Sequence, residues 1–268
     1  FCDGKESAED MAKTAFTKGF DILGFSGHSM FPFASTWHIP PRSFNTYIET
    51  IHSIAKEYAG RMKVLCGFEA DYVPGLTVPR MAAYSEFKPD YLIGAVHYIV
   101  NENGNFTADG SPEEVSEGIK KLFAGNAQEA VCTYFSLQRE MLKKGDFAIW
   151  AHPDLIRKQN GTLHFFDEGE SWYRSELLAT ASAAKHAGVI AEINTGAIAR
   201  GTMDDVYPSA DFLSILCDTG VPVMINSDAH CGKDLDCAFD RAAAAAKKAG
   251  YTETMFLEAG LEVKSQKL

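Results

Sequence analysis

The stretch Val221-Pro-Val-Met-Ile-Asn-Ser-Asp-Ala-His230 decides how the chain reads. It opens as a short apolar run with β-branched residues, the pattern of a buried strand. It ends in Asp228 and His230. In extended backbone, side chains two apart leave the same face, so this carboxylate and imidazole project together from the strand's end. One oxygen and one nitrogen donor side by side suit a borderline divalent metal. Alone, an Asp-x-His pair fits a solvated polar loop better than a metal site. The balance shifts because other apolar runs end in the same kind of residue.

Working outward, Ile22-Leu-Gly-Phe25 runs into Ser26-Gly-His28, and Val64-Leu-Cys-Gly-Phe68 into Glu69. Tyr91-Leu-Ile-Gly-Ala-Val96 runs into His97, and Phe147-Ala-Ile-Trp-Ala151 into His152. Val189-Ile-Ala-Glu-Ile-Asn194 is a further strand. Helical patterns lie between them. Ser7 stands where a cap is needed, and Phe44, Tyr47, Ile48, Ile51, Ala55 and Tyr58 form one buried stripe. Ser111-Pro-Glu-Glu114 opens a long helix read as running through Val131, Phe135 and Leu142, and Gly250 stops the last one. This alternation predicts parallel strands with right-handed crossovers, an α/β barrel-like sheet in one domain over residues 1–268. Reacting groups in such folds gather where strands end. His28, Glu69, His97, His152, Asp228 and His230 are therefore predicted to converge on one rim. A single histidine is more often a hydrogen-bonded core residue, but five strand ends carrying metal-type donors point to a metal centre.

Composition narrows the function. With 25 basic against 36 acidic residues, a formal charge of −11 makes a nucleic-acid backbone an unsuitable general partner. Six cysteines without a Cys-x-x-Cys pair fit a reduced, cytoplasmic compartment. No stretch has the pattern of a membrane span or a signal peptide. Oligomeric state is not legible. His38, His52, His164 and His186 match no strand end and are taken as non-ligands. The loop from Ser29 to Arg42 carries Phe31, Phe33 and Trp37, aromatics that pack over the barrel mouth or touch a ring-bearing substrate.

The strand ends Ser-Gly-His28, Gly-Phe-Glu69, Gly-Ala-Val-His97, Ala-His152-Pro-Asp and Ser-Asp228-Ala-His230 resemble the PHP (polymerase and histidinol phosphatase) superfamily. Phe-Cys-Asp3-Gly and Glu192-Ile-Asn-Thr resemble its histidinol-phosphate phosphatase branch more narrowly. The resemblance spans essentially the whole chain. It implies a distorted seven-stranded (β/α) barrel holding two to three divalent ions (Zn, Fe or Mn). It also implies Asp3, His28, Glu69, His97, His152, Asp228 and His230 as ligands, with Glu69 bridging two ions. The family's first strand carries a His-x-His pair just before the turn matched by Phe1–Gly4, and the sequence starts after it. That strand is expected in the natural protein.

By the same resemblance the substrate is a small phosphate ester, L-histidinol phosphate, cleaved to L-histidinol and phosphate in histidine biosynthesis. Phosphate monoesters resist attack because their dianion repels hydroxide. Metals meet this by lowering the pKa of bound water from about 15.7 towards 7 and by clamping the attacking and leaving oxygens. The expected step is in-line attack of a metal-bound hydroxide, with a guanidinium offsetting charge on the transferring group. Arg157 and Arg200 each lie a few residues past a strand end and are the candidates, against the alternative of solvated loop arginines. Asp154 and the ligand histidines are candidates to protonate the leaving alkoxide. Cys231 is read as a structural thiol rather than a soft ligand. The alternatives are a phosphoesterase of the same architecture acting on nucleotides or other small esters, and a metal-binding protein without catalysis.

Overall fold

Strands covered on both faces need apolar side chains at nearly every position, and β2 is buried from Val64 to Asp71. The computed structural model describes residues 1–258 and 262–268. In chain order it forms α1 (Ala8–Thr17), β1 (Ile22–Ser29), α2 (Phe44–Glu57), β2 (Lys63–Asp71), β3 (Tyr91–Ala95), β4 (Tyr98–Asn101) and β5 (Gly104–Thr107). Next come α3 (Pro112–Leu122), α4 (Ala127–Lys144), β6 (Ile149–Trp150), α5 (Asn160–Leu163), α6 (Ser171–Ala187), β7 (Ile190–Asn194) and α7 (Gly196–Arg200). The chain ends with α8 (Ala210–Thr219), β8 (Val223–Asn226), α9 (Phe239–Ala249), β9 (Glu253–Leu257) and β10 (Val263–Lys267).

Six of these strands form one parallel sheet in the order β1-β2-β3-β6-β7-β8, the order of the sequence. Same-handed crossovers and the native twist of parallel strands curl such a sheet. Here the curl brings its two edges together at one rim, where the His28 ring from β1 lies 6.2 Å from the His230 ring that follows β8. The result is a partial barrel, half open between β1 and β8, with a cavity of about 570 Å³ along the opening. The expected α/β barrel architecture is thus present as a curled six-stranded sheet. Among the described residues, no helix is long and apolar enough to cross a membrane.

Alternation along each strand sorts the core into layers. Val64, Cys66, Phe68 and Ala70 of β2 pack outward with Ile48, Ile51 and Phe44 of α2. Leu65 points inward and meets Tyr91, Ile93, Ile149, Ile190 and Met224 in the barrel interior. On β2 the inward set continues through Gly67 to Glu69 and Asp71, so the apolar plug gives way to carboxylates at the rim.

Local chemistry explains most element boundaries. Ser7 accepts the Asp10 amide at the start of α1. Ser111 and Glu114 form a reciprocal capping box on α3. The helix predicted to run from Ser111 through Leu142 is instead two. Ala124 (φ 50°) and Gly125 (φ 83°) take left-handed backbone, and Asn126 caps the new start by accepting the Glu129 amide. The chain after His97 turns back on itself in the hairpin β4–β5, with Tyr98–Asn101 paired to Gly104–Thr107.

Gly67 faces Tyr91 across the β2–β3 pair. The Tyr91 ring lies flat over that glycine, and its hydroxyl donates to the Phe25 carbonyl of β1 at 3.0 Å. A Cβ at residue 67 would stand 2.6 Å from the ring. Gly67→Ala is expected to lower stability by about 1–3 kcal/mol, the cost of overpacking a filled interior. Urea unfolding checks this, and an unchanged midpoint would mean that Tyr91 moves away freely.

Candidate metal centre

Register does the first part of the assembly. His28 on β1 pairs directly with Glu69 on β2, and both point into the barrel. β3 and β6 then deliver His97 and His152 to the same rim. Three imidazoles meet one carboxylate oxygen, Glu69 Oε1. His152 Nε2 lies at 3.0 Å, His97 Nε2 at 3.4 Å and His28 Nδ1 at 3.8 Å. A second group forms where the sheet edges approach. His230 Nε2 stands 2.8 Å from Asp3 Oδ2, which is 3.7 Å from His28 Nε2. Asp228 Oδ1 lies 3.8 Å from His230 Nδ1.

Among the described residues, two donor groups are compact enough to hold a cation, Asp3–His28–His230 and His28–Glu69–His97, each with ligand atoms within 4.8 Å of one another. His28 belongs to both and turns a different ring nitrogen to each. The donor chemistry fits divalent ions that accept nitrogen and oxygen together. So does His28 Nδ1, which faces Glu69 at 3.8 Å and is buried without a hydrogen-bond partner; buried polar atoms are seldom left so. Two of these residues hold strained backbone, His152 with φ 22° and Asp228 with φ 48°. Such strain gathers at functional sites, where the surroundings enforce it.

The charges are tightly coupled. Burial would raise Glu69, yet His28, His152 and His97 hold its carboxyl below the usual range. Burial would lower His97, but Asp71 and Glu69 push it up to about 10. Burial would also raise Asp228, which Arg200 and His230 bring down to about 2.

The remaining expected residues fall in two places. Arg200 comes to the rim, where its guanidinium donates to Asp228 Oδ2 at 2.8 Å and to the Asp228 carbonyl at 2.9 Å, and sits 3.1 Å from His230 Nδ1. Arg157 is buried in a separate acidic cluster. It donates to Glu168 at 2.6 Å, Asp205 at 3.0 Å and the Val206 carbonyl at 3.4 Å. Asp154 is fully buried in that cluster. Its Oδ2 accepts the Ser209 amide at 2.8 Å, while Oδ1 has no partner. The Cys231 thiol donates to Asp234. Trp37 stacks on His38 and meets the His28 and His97 rings edge-on at 5.0 and 5.2 Å, so of the loop's three aromatics it covers the site, while Phe31 packs against Phe44, Tyr84 and Phe87 and Phe33 is exposed.

Two buried carboxylates escaped the sequence reading as site residues. Asp71 lies on the inward face of β2, two residues beyond Glu69, and touches His38 and His97. Its signal was that spacing of two. Glu192 joins three strand ends by accepting from the His152 amide, Asn194 and Asn226 at 2.9–3.0 Å. It sits mid-strand in an apolar run, where a lone acid is the signal.

Burial raises Asp154 from 3.8 to about 6, against the opposing pull of Arg157. A carboxyl raised on folding favours the folded state when protonated, so its contribution falls as pH rises from about 4 to 6. Asp154→Asn should remove this dependence, on the order of 3 kcal/mol at about 1.4 kcal/mol per pH unit. Urea unfolding of metal-stripped wild type and variant across that range tests it. Parallel stability–pH curves would show that Asp154 ionises freely in place.

Comparison with known proteins agrees with this geometry. Residues 1–196 match the model of the PHP domain. The chain is 28% identical over 223 residues to a Deinococcus radiodurans protein named "Probable histidinol-phosphatase", covering 82% of this chain and 79% of that one. It is 21% identical over 257 residues to the histidinol-phosphatase of Bacillus subtilis, covering 90% and 94%. Two crystal structures share the fold. A candidate histidinol phosphatase from Listeria monocytogenes superposes with a TM-score of 0.79 at 19% identity, over 90% of this chain and 96% of that one. Histidinol phosphate phosphatase from Lactococcus lactis, solved with zinc, L-histidinol and phosphate, gives 0.74 at 17% identity, over 98% and 94%. With the domain model matching well over half of its length and the strand-end donors in place, the chain belongs to the PHP domain family.

Proposed function

We propose that the chain is a metal-dependent phosphomonoesterase that hydrolyses L-histidinol phosphate to L-histidinol and phosphate. The observation that carries this reading is the rim itself, where one buried carboxylate oxygen faces three imidazoles beside a second Asp–His pair. The histidinol-phosphatases of D. radiodurans and B. subtilis support the substrate, as does the L. lactis structure with zinc, L-histidinol and phosphate.

In this reading Glu69, His97 and His152 would hold one side of a centre of two to three ions and Asp3, Asp228 and His230 the other. His28 would serve both, and Glu69 would be the carboxylate shared between ions. Zn, Fe and Mn all accept this mixture of nitrogen and oxygen, and the zinc of the L. lactis protein favours zinc. Such ions supply Lewis acidity, bringing the pKa of water towards neutrality and offsetting charge on a phosphoryl group.

The chain's own residues supply position and exclusion. Arg200 stands at the rim with its guanidinium fixed by Asp228, placed to pair with a phosphate oxygen. Asp154 and Arg157 act from behind. They tie the turn after His152 to the segment 205–209 and hold that imidazole in place. Trp37 covers the rim, edge-on to the His28 and His97 rings, and supplies an aromatic wall for the substrate's imidazole.

The test is kcat/KM for L-histidinol phosphate against p-nitrophenyl phosphate and a mononucleotide at matched metal loading. Histidinol phosphate should at least equal the nitrophenyl ester despite its poorer leaving group, because remote binding energy is used at the reacting centre. A tenfold preference for the mononucleotide, about 1.4 kcal/mol of transition-state binding, would instead favour a nucleotide phosphoesterase. A second measurement concerns the bridge. Glu69→Gln should reduce metal content and turnover more than loss of any single histidine, since one carboxylate offsets charge on two ions. Unchanged stoichiometry with near-native turnover would rule the bridge out.

A further inference from the structure

We infer that Asp71 is a positioning residue for the metal centre, fixing which ring nitrogen His97 presents to it. Through His38, it makes the aromatic loop part of the same hydrogen-bonded chain. The inference rests on the metal-centre reading above and adds residues to it that touch no ion.

Asp71 is almost fully buried, with 1% of its surface exposed. Its Oδ1 lies 2.8 Å from His97 Nδ1 and 3.3 Å from the His97 amide, and its Oδ2 lies 2.7 Å from His38 Nε2. An ionised carboxylate only accepts hydrogen bonds, so both imidazoles must donate. His97 therefore keeps a proton on Nδ1 and turns Nε2 towards Glu69 Oε1, 3.4 Å away, a gap that takes either a second proton or a cation. Two lone-pair atoms facing each other across that gap repel unless a cation or a proton lies between them. Without Asp71 nothing selects this tautomer, and the ring is free to offer the centre an N–H instead. Carboxylates that accept from a ligand histidine in this way raise its basicity and lock its ring.

The chain continues outward. With Nε2–H given to Asp71, His38 accepts at Nδ1, where the Ser35 amide donates at 3.2 Å and the Ser35 hydroxyl lies at 2.7 Å. Its ring stacks on Trp37 at 3.8 Å, and Trp37 meets the rings of His28 and His97 edge-on. The loop between β1 and α2 is thereby tied to the orientation of His97 by two short hydrogen bonds through one carboxylate. A purely structural buried pair would affect folding stability but would not fix a tautomer or alter metal affinity.

The experiment uses the full chain, metal-stripped and then titrated with zinc against a chromophoric chelator. In parallel, nitrogen-15 histidine NMR reads which ring nitrogen carries the proton. Wild type loaded with zinc should show His97 protonated at Nδ1 and His38 protonated at Nε2. Asp71→Asn removes the negative charge and sets an NH2 against one of the two imidazole N–H donors, and should weaken zinc binding about 10–100-fold, with an unchanged far-UV spectrum. His38→Ala leaves Asp71 in place, so it should weaken zinc by less than Asp71→Asn while exposing the bonds after Phe33 and Trp37 to chymotrypsin. Zinc affinity of Asp71→Asn within twofold of wild type would overturn the inference, as would a zinc-loaded His97 protonated at Nε2. The NMR result on wild type decides the matter even where Asp71→Asn fails to fold. Failure of wild type to bind zinc at all would sink the metal-centre reading itself, and is thus distinct from failure of the positioning role.

Discussion

Everything at the rim depends on neutralising one buried carboxylate. Glu69 is 7% exposed, and an isolated charge so placed would cost several kcal/mol. The fold meets that cost by bringing histidines from three other strand ends to a single oxygen. Each of those histidines is in turn an acceptable neighbour only because a negative or metal-bound group faces it. The centre therefore holds as a set, and its parts have little reason to stay where they are singly.

The sheet topology makes the set possible. Strand order equals chain order, so every crossover turns the same way and the sheet curls until its first and last strands approach. Apolar side chains fill the interior lower down, around Tyr91, Ile93 and Ile190. Above them the inward positions become Glu69, Asp71, Glu192, Asn194 and Asp228. One alternation thus serves both ends of the barrel, packing below and ligation above.

Much of this was legible in the sequence, for a physical reason. A strand buried on both faces must be apolar throughout, so a polar residue at its end stands out, and His28, Glu69, His97 and His152 all did. The part that was not legible depends on contacts between distant segments. Arg157 and Arg200 looked alike, each a few residues beyond a strand, yet one is spent on Glu168 and Asp205 and the other reaches the rim. Asp71 and His38 lie 33 residues apart, and only the path of the loop after β1 joins them. The break between α3 and α4 was missed because Ala124, a strong helix former, takes left-handed backbone there. Tertiary packing overrode a local preference.

The segment around Asp3 is stitched to the loop after β8. The Lys5 amide donates to the His230 carbonyl at 2.7 Å, and the Gly232 amide donates to Glu6 at 3.0 Å. Residues more than two hundred positions apart thus close one side of the rim. Proteins are synthesised from the N-terminus, and early segments begin to fold while later ones are still being made. A nascent chain grown past His152 already holds Glu69 and its three histidines, but Asp3 has only His28 beside it until His230 leaves the ribosome. The donors at this rim can therefore come together only once His230 has emerged, late in synthesis.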